Sequence, residues 1–522
     1  MAETVSQPAL VVKNKGMLTL ALMLGTIMQV LDTTIANVAL PHMSSSLGAA
    51  QNEINWVLTS YIVAAAIATP LTGWMSDRLG QRRLFLGAVI GFTVASALCG
   101  IASSLPEMVL FRVLQGLCGA MIAPLAQTVL LNINPREKIG QAMALYGMGI
   151  MVAPIVGPTL GGWLTETFDW RWVFLVNVPV GVLCVAMLVL FMPNTEIKNR
   201  RFDFFGFGML ALGVGSLQML LDRGAENGWF TAVETWIELG IFIAGLWVFI
   251  VHSLTAKQPF VDLRMFKDFN FSLGSVLMAV MGVTLFSGLA LLPPMLQNLM
   301  GYSVIFTGLL MAPRGAATLV SMMIVGRLSG KVDARLMMLV GSVIMSYSLW
   351  LMTGFSPDMD YWPVVITGAM QGFGMGFLFV PLSTMAFATI APTMRADATA
   401  MFALVRNMGQ GIGISLVSVV LTNMMQVNHA ELAERLTVDS MAVQTQMPGL
   451  ISGNAQILAV INGLVQKQSA MLSYLDDFWL MLLLSLASIP LILLLRGPKK
   501  DKNAPAKTKE ELAIERAHAM GE

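Results

Sequence analysis

Asp32, Arg112, Arg314 and Arg406 are charged residues that stand inside long apolar stretches of the sequence. At a helical rise of about 1.5 Å per residue, Asp32 lies about 12 Å and Arg112 about 9 Å from an end of its own stretch. A carboxylate at that depth can bind and release a proton, whereas an arginine keeps its charge at every accessible pH. These two residues therefore predict either a proton-binding pair or a fixed ion pair that joins two helices.

Further polar residues accompany this pair. Gln115 follows Arg112 by three residues and shares its helix face, so we expect it to bridge the pair or to line a cavity. Arg314 and Arg406 would each cost several kcal/mol if they faced lipid. We expect both to face protein, either bonded to backbone carbonyls as packing groups or exposed to a cavity.

The composition of the chain indicates a membrane protein and argues against several other classes. Of 522 residues, 56% are hydrophobic and 12% are charged, against about 25% charged residues in soluble domains. The net charge of +1 gives no basic field for nucleic acid. We find no nucleotide-binding motif, no metal-ligand cluster and no nucleophile–base set. The sequence therefore predicts no enzyme activity, no metal and no cofactor.

Fourteen apolar stretches are long enough for membrane helices, which need about 20 residues. We number them helices 1 to 14, over residues 17–40, 54–76, 83–103, 106–132, 140–163, 171–193, 204–222, 236–254, 270–293, 304–326, 335–354, 360–388, 396–421 and 474–496. The expected fold class is an all-α integral membrane protein. Lys and Arg concentrate in alternate connections, which places those connections and both termini in the cytoplasm. The opposite side receives only Arg171, Arg223, Arg435 and Lys467.

A short motif occurs twice, at an offset of 253 residues. It follows helix 2 at residues 73–83 and helix 10 at residues 326–335. The offset aligns Gly73 with Gly326, but Gly330 replaces Asp77, so we expect the second copy to keep the turn without the carboxylate. Paired repeats are the architecture of secondary transporters.

The repeat predicts the domain organisation. Two six-helix bundles, at residues 1–202 and 256–522, flank two inserted helices at residues 203–255. The second bundle includes a long external loop at 422–473 and a polar tail at 497–522.

The first copy of the motif contains one acid among several cations and glycines. Asp77 is placed to meet either a helix N-terminus or an arginine of the other bundle. The remaining members are Gly73, Arg78, Gly80, Arg82 and Arg83.

Helix 5 carries small residues at four-residue spacing, which puts them on one face and permits close helix approach. This stripe consists of Gly149, Ala153, Gly157 and Gly161, beside Gly162 and the helix-bending Pro154 and Pro158.

Together these motifs resemble the fourteen-helix drug:proton antiporters of the Emr type in the major facilitator superfamily. The resemblance covers nearly the whole chain and includes Leu31–Pro41 with Asp32 and Asn37, the 73–83 loop, Arg112–Gly116, Gly157–Gly162 and Asp203–Gly206. It implies that Asp32 and Arg112 couple proton movement, and that Gln115, Asn37, Arg314 and Arg406 support the coupling or line the cavity. It also implies that the 73–83 loop closes the cytoplasmic side and that the helix 5 glycines shape the contact between the bundles.

The same resemblance implies export of hydrophobic, drug-like compounds in exchange for protons across a bacterial inner membrane. It implies a periplasmic adaptor and an outer-membrane channel as partners, with the 422–473 loop as the place for adaptor contacts or a simple lid. A dedicated exporter of one metabolite, such as a siderophore or a fatty acid, is the alternative within transport. A sensor or a channel is the alternative outside it.

Overall fold

The computed structural model describes residues 12–135, 138–224, 228–436 and 455–496. Within these residues the fold is helical throughout, and the secondary structure contains no named strand. Thirteen helices are long and apolar enough to cross a membrane, and one bent pair raises that number to 14. The fourteen helices correspond one to one with the predicted stretches, and we number them α1 to α14 in chain order.

The first bundle contains α1 to α6, and α7 and α8 follow it. Their bounds are Lys15–Leu47, Trp56–Ala68 continued by Leu71–Leu79, Gln81–Ile101, Leu105–Ile133, Ile139–Thr167, Trp172–Phe191, Phe204–Arg223 and Val233–Thr255. The second bundle contains α9 to α14, at Phe269–Pro294, Val304–Leu328, Ala334–Met352, Trp362–Ala388, Arg395–Arg435 and Ala455–Leu494.

The two bundles repeat the same packing. In the first bundle, α1 packs on α5 and α4 packs on α2 and α3. In the second, α9 packs on α13 and α12 packs on α10 and α11. The bundles meet where α5 contacts α10, and α7 packs on α2 and α13 from the side. We call the membrane side on which α1 begins and α14 ends the terminal face.

The second helix is bent rather than straight. Its two segments meet at an angle of 59° around Thr69 and Pro70. Proline cannot donate the backbone hydrogen bond that would continue the first segment. The bend turns residues 71–79, which carry the first part of the 73–83 motif, toward the second bundle.

Much of the predicted external loop at 422–473 is helical, because α13 extends to Arg435 and α14 begins at Ala455. At about 1.5 Å per residue, helices of 41 and 40 residues reach about 60 Å, twice the hydrocarbon thickness of about 30 Å. The predicted stretches ended with the last apolar residues, whereas the helical hydrogen bonds continue beyond those residues. Residues 437–454 and the predicted tail at 497–522 lie outside the described residues.

Candidate functional site

Asp32 is closed off from solvent in the middle of α1, with 1% of its surface exposed. Its Oδ2 accepts a hydrogen bond from Arg112 Nη1 at 2.6 Å. Its Oδ1 accepts two more, from Gln115 Nε2 and from Asn177 Nδ2, both at 2.8 Å. Three N–H donors thus surround one carboxylate. We call these four residues the Asp32 cluster.

Arg112 has partners besides the carboxylate. Its side chain is fully buried, and its Nε donates to the carbonyl oxygen of Val57 at 2.9 Å. The guanidinium carbon lies 4.3 Å from the ring centre of Tyr61 and 5.5 Å from that of Phe174, at cation–π distance. Arg112 therefore has partners whose contacts do not depend on the charge of Asp32.

Two amide side chains complete the Asp32 cluster. Gln115 Oε1 accepts from Arg112 Nη1 at 2.8 Å while its Nε2 donates to Asp32, so Gln115 bridges the pair. Asn177, from α6, also donates to Ser96 Oγ at 3.0 Å. The sequence analysis missed Asn177, although a lone amide in an otherwise apolar helix was a usable signal.

A glycine brings α4 close to α2 beside the Asp32 cluster. A Cβ on Gly116 would lie 2.5 Å from the carbonyl oxygen of Tyr61. Only a residue without a side chain permits this approach, which holds the Tyr61 ring against Arg112. The Arg112–Gly116 motif thus supplies both the cation and the close packing that buries it.

The small-residue stripe of α5 faces α1. A side chain on Gly157 would overlap Thr34 Oγ1, and a Cβ on Gly161 would lie 3.1 Å from Ile35 Cγ2. On the same face, Ala153 is fully buried and a Cβ on Gly149 would lie 3.0 Å from Met23 Sδ. Gly162 has no atom within 4 Å of its Cβ position, so it takes no part in this contact.

The predicted role of this stripe between the bundles is wrong, because its contacts lie inside the first bundle. Another face of α5 meets α10. There a Cβ on Gly147 would lie 3.0 Å from Met322 Sδ, and a side chain on Gly140 would overlap Ser329 Oγ. At about 100° per residue, Gly147 is rotated by about 160° from Gly149 around the helix axis. Pro154 and Pro158 lie within α5.

Replacing Gly157 by leucine is expected to destabilise the first bundle, because the new side chain overlaps Thr34. Overpacking of this kind costs about 1–3 kcal/mol, so the midpoint of thermal unfolding in detergent should fall. Gly162→Leu is the matched control on the same helix and should unfold at the wild-type temperature. Equal losses in both variants would contradict the packing described above.

At the terminal face, Arg200 bridges two carboxylates. Its Nη1 lies 3.0 Å from Asp397 Oδ2 and 3.5 Å from Asp77 Oδ2, and its Nη2 donates to the carbonyl oxygen of Phe260 at 2.6 Å. Asp397 belongs to the first turn of α13. The expectation that Asp77 meets an arginine of the other bundle, or a helix N-terminus directly, is therefore wrong. Its cations are Arg200 and Lys198, which follow α6.

Gly73 allows α2 to touch α13 beside this bridge, because a side chain there would overlap Asp397 Oδ1. The equivalent residues of the repeat make the same kind of contact between α10 and α5. A Cβ on Gly326 would lie 2.9 Å from the Cβ of Ala144, and Ala144 precedes Asp397 by the same 253 residues. The packing is thus repeated, whereas the charged bridge is present in one copy only.

Other motif residues anchor the loop to α6 and to the segment after it. Gly80 ends the bent helix with φ +81°, a conformation that favours glycine. Arg82 donates to the carbonyl oxygen of Val189 at 2.6 Å, and Arg78 bonds Asn199. Arg83 is exposed.

The second copy of the motif turns earlier than we expected. Its helix, α10, ends at Leu328, whereas the equivalent of Leu79 would be Val332. Gly330, which replaces Asp77, has φ +84°. A glycine in that conformation just after a helix ends it, so the substitution shortened the helix as well as removing the acid.

Loss of the Arg200 bridge is expected to open the terminal face. Thr128 and Thr399 join the bundles there by a buried hydrogen bond of 2.6 Å, so Thr399→Cys reports opening by maleimide labelling. In that background Arg200→Gln should label about 10-fold faster, which corresponds to about 1.4 kcal/mol. Lys198→Gln is the control, because Lys198 is half-exposed and contacts Asp77 alone. Labelling that is equal in both variants would count against the bridge.

The remaining predicted residues lie outside the Asp32 cluster. Arg314 is buried, and its Nη2 donates to the carbonyl oxygen of Leu285 at 3.3 Å, as expected for a carbonyl-bonded group. Arg406 is half-buried and bonds Asn407 Oδ1 at 3.4 Å. Asn37 is exposed, because five residues rotate it by about 140° from Asp32, and nothing described links it to that cluster.

The Asp203–Gly206 motif is a helix cap. Asp203 Oδ1 accepts from the backbone N–H of Gly206 at 2.9 Å, and this bond starts α7. Its Oδ2 lies 2.9 Å from His252 Nε2 of α8. The motif thus holds the two inserted helices together.

The fold and the intramembrane ion pair are those of a membrane transporter. Residues 22–414 match the sequence profile of the Major Facilitator Superfamily, and the chain belongs to that family. The human organic anion transporter MFSD10 (TETRAN) has a similar fold, with a TM-score of 0.57 at 13% identity over 92% of this chain and all of that one. The proton:xylose symporter XylE gives 0.54 at 13% identity over 91% and 96%.

Curated relatives are more similar in sequence. Multidrug export protein EmrB of Escherichia coli K12 is 36% identical over 473 residues, which cover 89% of this chain and 92% of the relative. Fatty acid resistance protein FarB of Neisseria gonorrhoeae is 35% identical over 488 residues, covering 92% and 96%. The resemblance to Emr-type transporters is confirmed, and the chain is a multi-pass membrane transporter rather than an enzyme.

Proposed function

We propose that this protein is a proton-coupled antiporter that exports hydrophobic, drug-like compounds across a bacterial inner membrane. The observation that carries the proposal is the buried Asp32 cluster, in which one carboxylate lies between a fixed cation and two amides. The names of the relatives, which describe multidrug export and fatty acid resistance, support the export direction.

The geometry of the Asp32 cluster suggests how a proton is exchanged for a drug. Protonation of Asp32 removes the charge that Arg112 faces at 2.6 Å, while Arg112 stays bonded to Val57 and Gln115. The contact between α1 and α4 then weakens without a cation being released into lipid. Proton and drug oppose each other through this contact, and by linkage each lowers the affinity for the other by the same factor.

The charge distribution supports a proposed orientation in the membrane. Lys and Arg concentrate on the side of both termini, so the terminal face is the cytoplasmic one. There Arg200, Asp397, Thr128 and Thr399 join the bundles. These contacts support a conformation closed toward the cytoplasm, in which the Arg200 bridge must break before a drug can enter from that side.

The protruding ends of α13 and α14 support the proposed assembly with a periplasmic adaptor and an outer-membrane channel. They extend about 30 Å beyond the hydrocarbon core on the face opposite the termini. Apolar side chains there are exposed, with 64% of the surface of Val460 and 56% of that of Leu464 accessible. Apolar surface in water marks an interaction site, and the adaptor is its proposed occupant.

A dedicated exporter of one metabolite remains the alternative, and the relative named for fatty acid resistance favours a fatty acid as its cargo. Both functions are tested in proteoliposomes that hold a pH gradient and a pH-sensitive dye. A proton antiporter of broad range dissipates the gradient when any of several unrelated lipophilic compounds is added. Dissipation by one compound class only indicates the dedicated exporter, and none with any compound contradicts proton coupling.

A further inference from the structure

A second carboxylate lies buried in the other bundle, on α14. Asp477 has no exposed surface, and neither of its oxygens has a hydrogen-bond partner among the described residues. The adjacent Asp476 differs: it is half-buried and its Oδ2 accepts from Asn428 Nδ2 at 3.1 Å. Two neighbouring carboxylates on one helix therefore have opposite surroundings.

The groups packed around Asp477 include no cation bonded to it. Helix α9 has no titratable residue, and the Phe478 ring packs on Phe355 at 5.9 Å. The neighbouring helices, the connection after α11 and α14 itself carry the following charged and titratable groups among the described side chains: Arg335 and Tyr347 of α11, Asp358, Asp360 and Tyr361 of the connection, Arg395, Asp397, Arg406, His429, Glu431 and Glu434 of α13, and Lys467, Tyr474 and Asp476 of α14. The adjacent carboxylate of Asp476 disfavours a further negative charge at Asp477.

The repeat shows how the charges of the second bundle differ from those of the first. At the offset of 253 residues, Leu285 takes the place of Asp32 and Arg314 that of Tyr61. The Arg314 Nη2 donates to the Leu285 carbonyl oxygen at 3.3 Å, and its Nη1 has no hydrogen-bond partner within the described part of the chain. The second bundle thus has a buried cation at the equivalent place but no acid on α9.

Asp477 lies one helical turn from the level of this cation. A Cβ placed on Gly288 would lie 3.4 Å from Arg314 Nη1 and 3.5 Å from Met481 Cε, so these two atoms are at the same level. Met481 follows Asp477 by four residues on the same face of α14. A shift of α14 by about one turn, 5.4 Å, would bring the carboxylate to the level of the guanidinium.

An ionised carboxylate that is buried in protein without a hydrogen bond or a cation costs several kcal/mol. We propose that Asp477 is a second proton-binding site, which holds its proton in the conformation closed at the terminal face. The O–H bond forms when the carboxylate takes a proton from water at the opposite face. It breaks when bundle movement lets water and Arg314 reach the carboxylate, and the proton leaves to water at the terminal face.

This inference rests on proton-coupled export and predicts its stoichiometry. In proteoliposomes, the membrane potential that just balances a known drug gradient and pH gradient gives the number of protons exchanged per drug. Asp477→Asn should lower that number by one and still drive uphill export, whereas Asp476→Asn, the matched control, should keep the wild-type value. An unchanged number in Asp477→Asn would overturn the second site. Absence of any proton flux in the wild type would overturn the proposed function instead.

Two further readouts test the protonation directly. Because asparagine imitates a neutral carboxyl group, Asp477→Asn should unfold in detergent at the wild-type temperature. A large drop in the unfolding temperature of Asp477→Asn would show that Asp477 is ionised and paired, and would overturn the proposal. A hydrophobic carbodiimide, which reacts with protonated carboxyl groups, should label Asp477 and not Asp476 by mass spectrometry. Labelling of Asp476 alone, or of neither, would also overturn it.

Discussion

Replacement of Asp32 by asparagine is expected to abolish uphill drug export while the folded protein stays in the membrane. Asparagine keeps nearly the same shape and an oxygen for Gln115 and Asn177, but it cannot exchange a proton. Without the coupling, which is worth up to about 3 kcal/mol, the steady-state drug gradient in inverted vesicles should fall about 100-fold. Movement of drug down its own gradient should continue, because the alternating bundles remain.

A second Asp–Arg pair provides the control for this variant. Asp169 and Arg171 are 3.6 Å apart, and about half of the Asp169 side chain is exposed. Exposed pairs contribute little, so Asp169→Asn should export drug at the wild-type level. Full pH-gradient-driven export by a normally expressed Asp32→Asn variant would show that the pair is only structural.

Removal of the cation is expected to be more damaging than removal of the acid. Arg112→Leu leaves Asp32 buried without its partner, and breaking a buried pair in this way costs about 3–5 kcal/mol. The carboxylate then retains its proton, so both the unfolding temperature in detergent and the proton-driven export should fall.

The double variant Asp32→Asn with Arg112→Gln separates the two effects. It removes both charges and leaves neutral groups that can hydrogen-bond each other, so it should be more stable than Arg112→Leu. It should still fail to export drug against a gradient. Uphill export by Arg112→Leu, or a double variant as unstable as the single one, would contradict the assigned roles.

The sequence was sufficient to predict the pairing of Asp32 with Arg112, because depth in a membrane helix follows directly from residue count. The same reasoning predicted fourteen helices and the bridging position of Gln115. These features depend on distance along one helix, which the fixed rise per residue determines.

Features that depend on how helices face one another could not be predicted in the same way. Asn177 joins the Asp32 cluster only because α6 packs on α1. Arg200 bridges Asp77 and Asp397 from the connection after α6. That connection has no helical spacing from which the position of the side chain could be predicted. The small residues of α5 have the spacing of a contact face, but spacing alone does not say that the partner is α1 rather than α10.

The central claim, that drug and proton compete through Asp32, is tested most directly by counting protons on drug binding. Purified protein in weakly buffered detergent is mixed with a lipophilic substrate, and the released protons are measured with a pH indicator. The account predicts that Asp32→Asn still binds the drug but releases one proton fewer than the wild type. Equal proton release from both proteins, at equal drug occupancy, would contradict it.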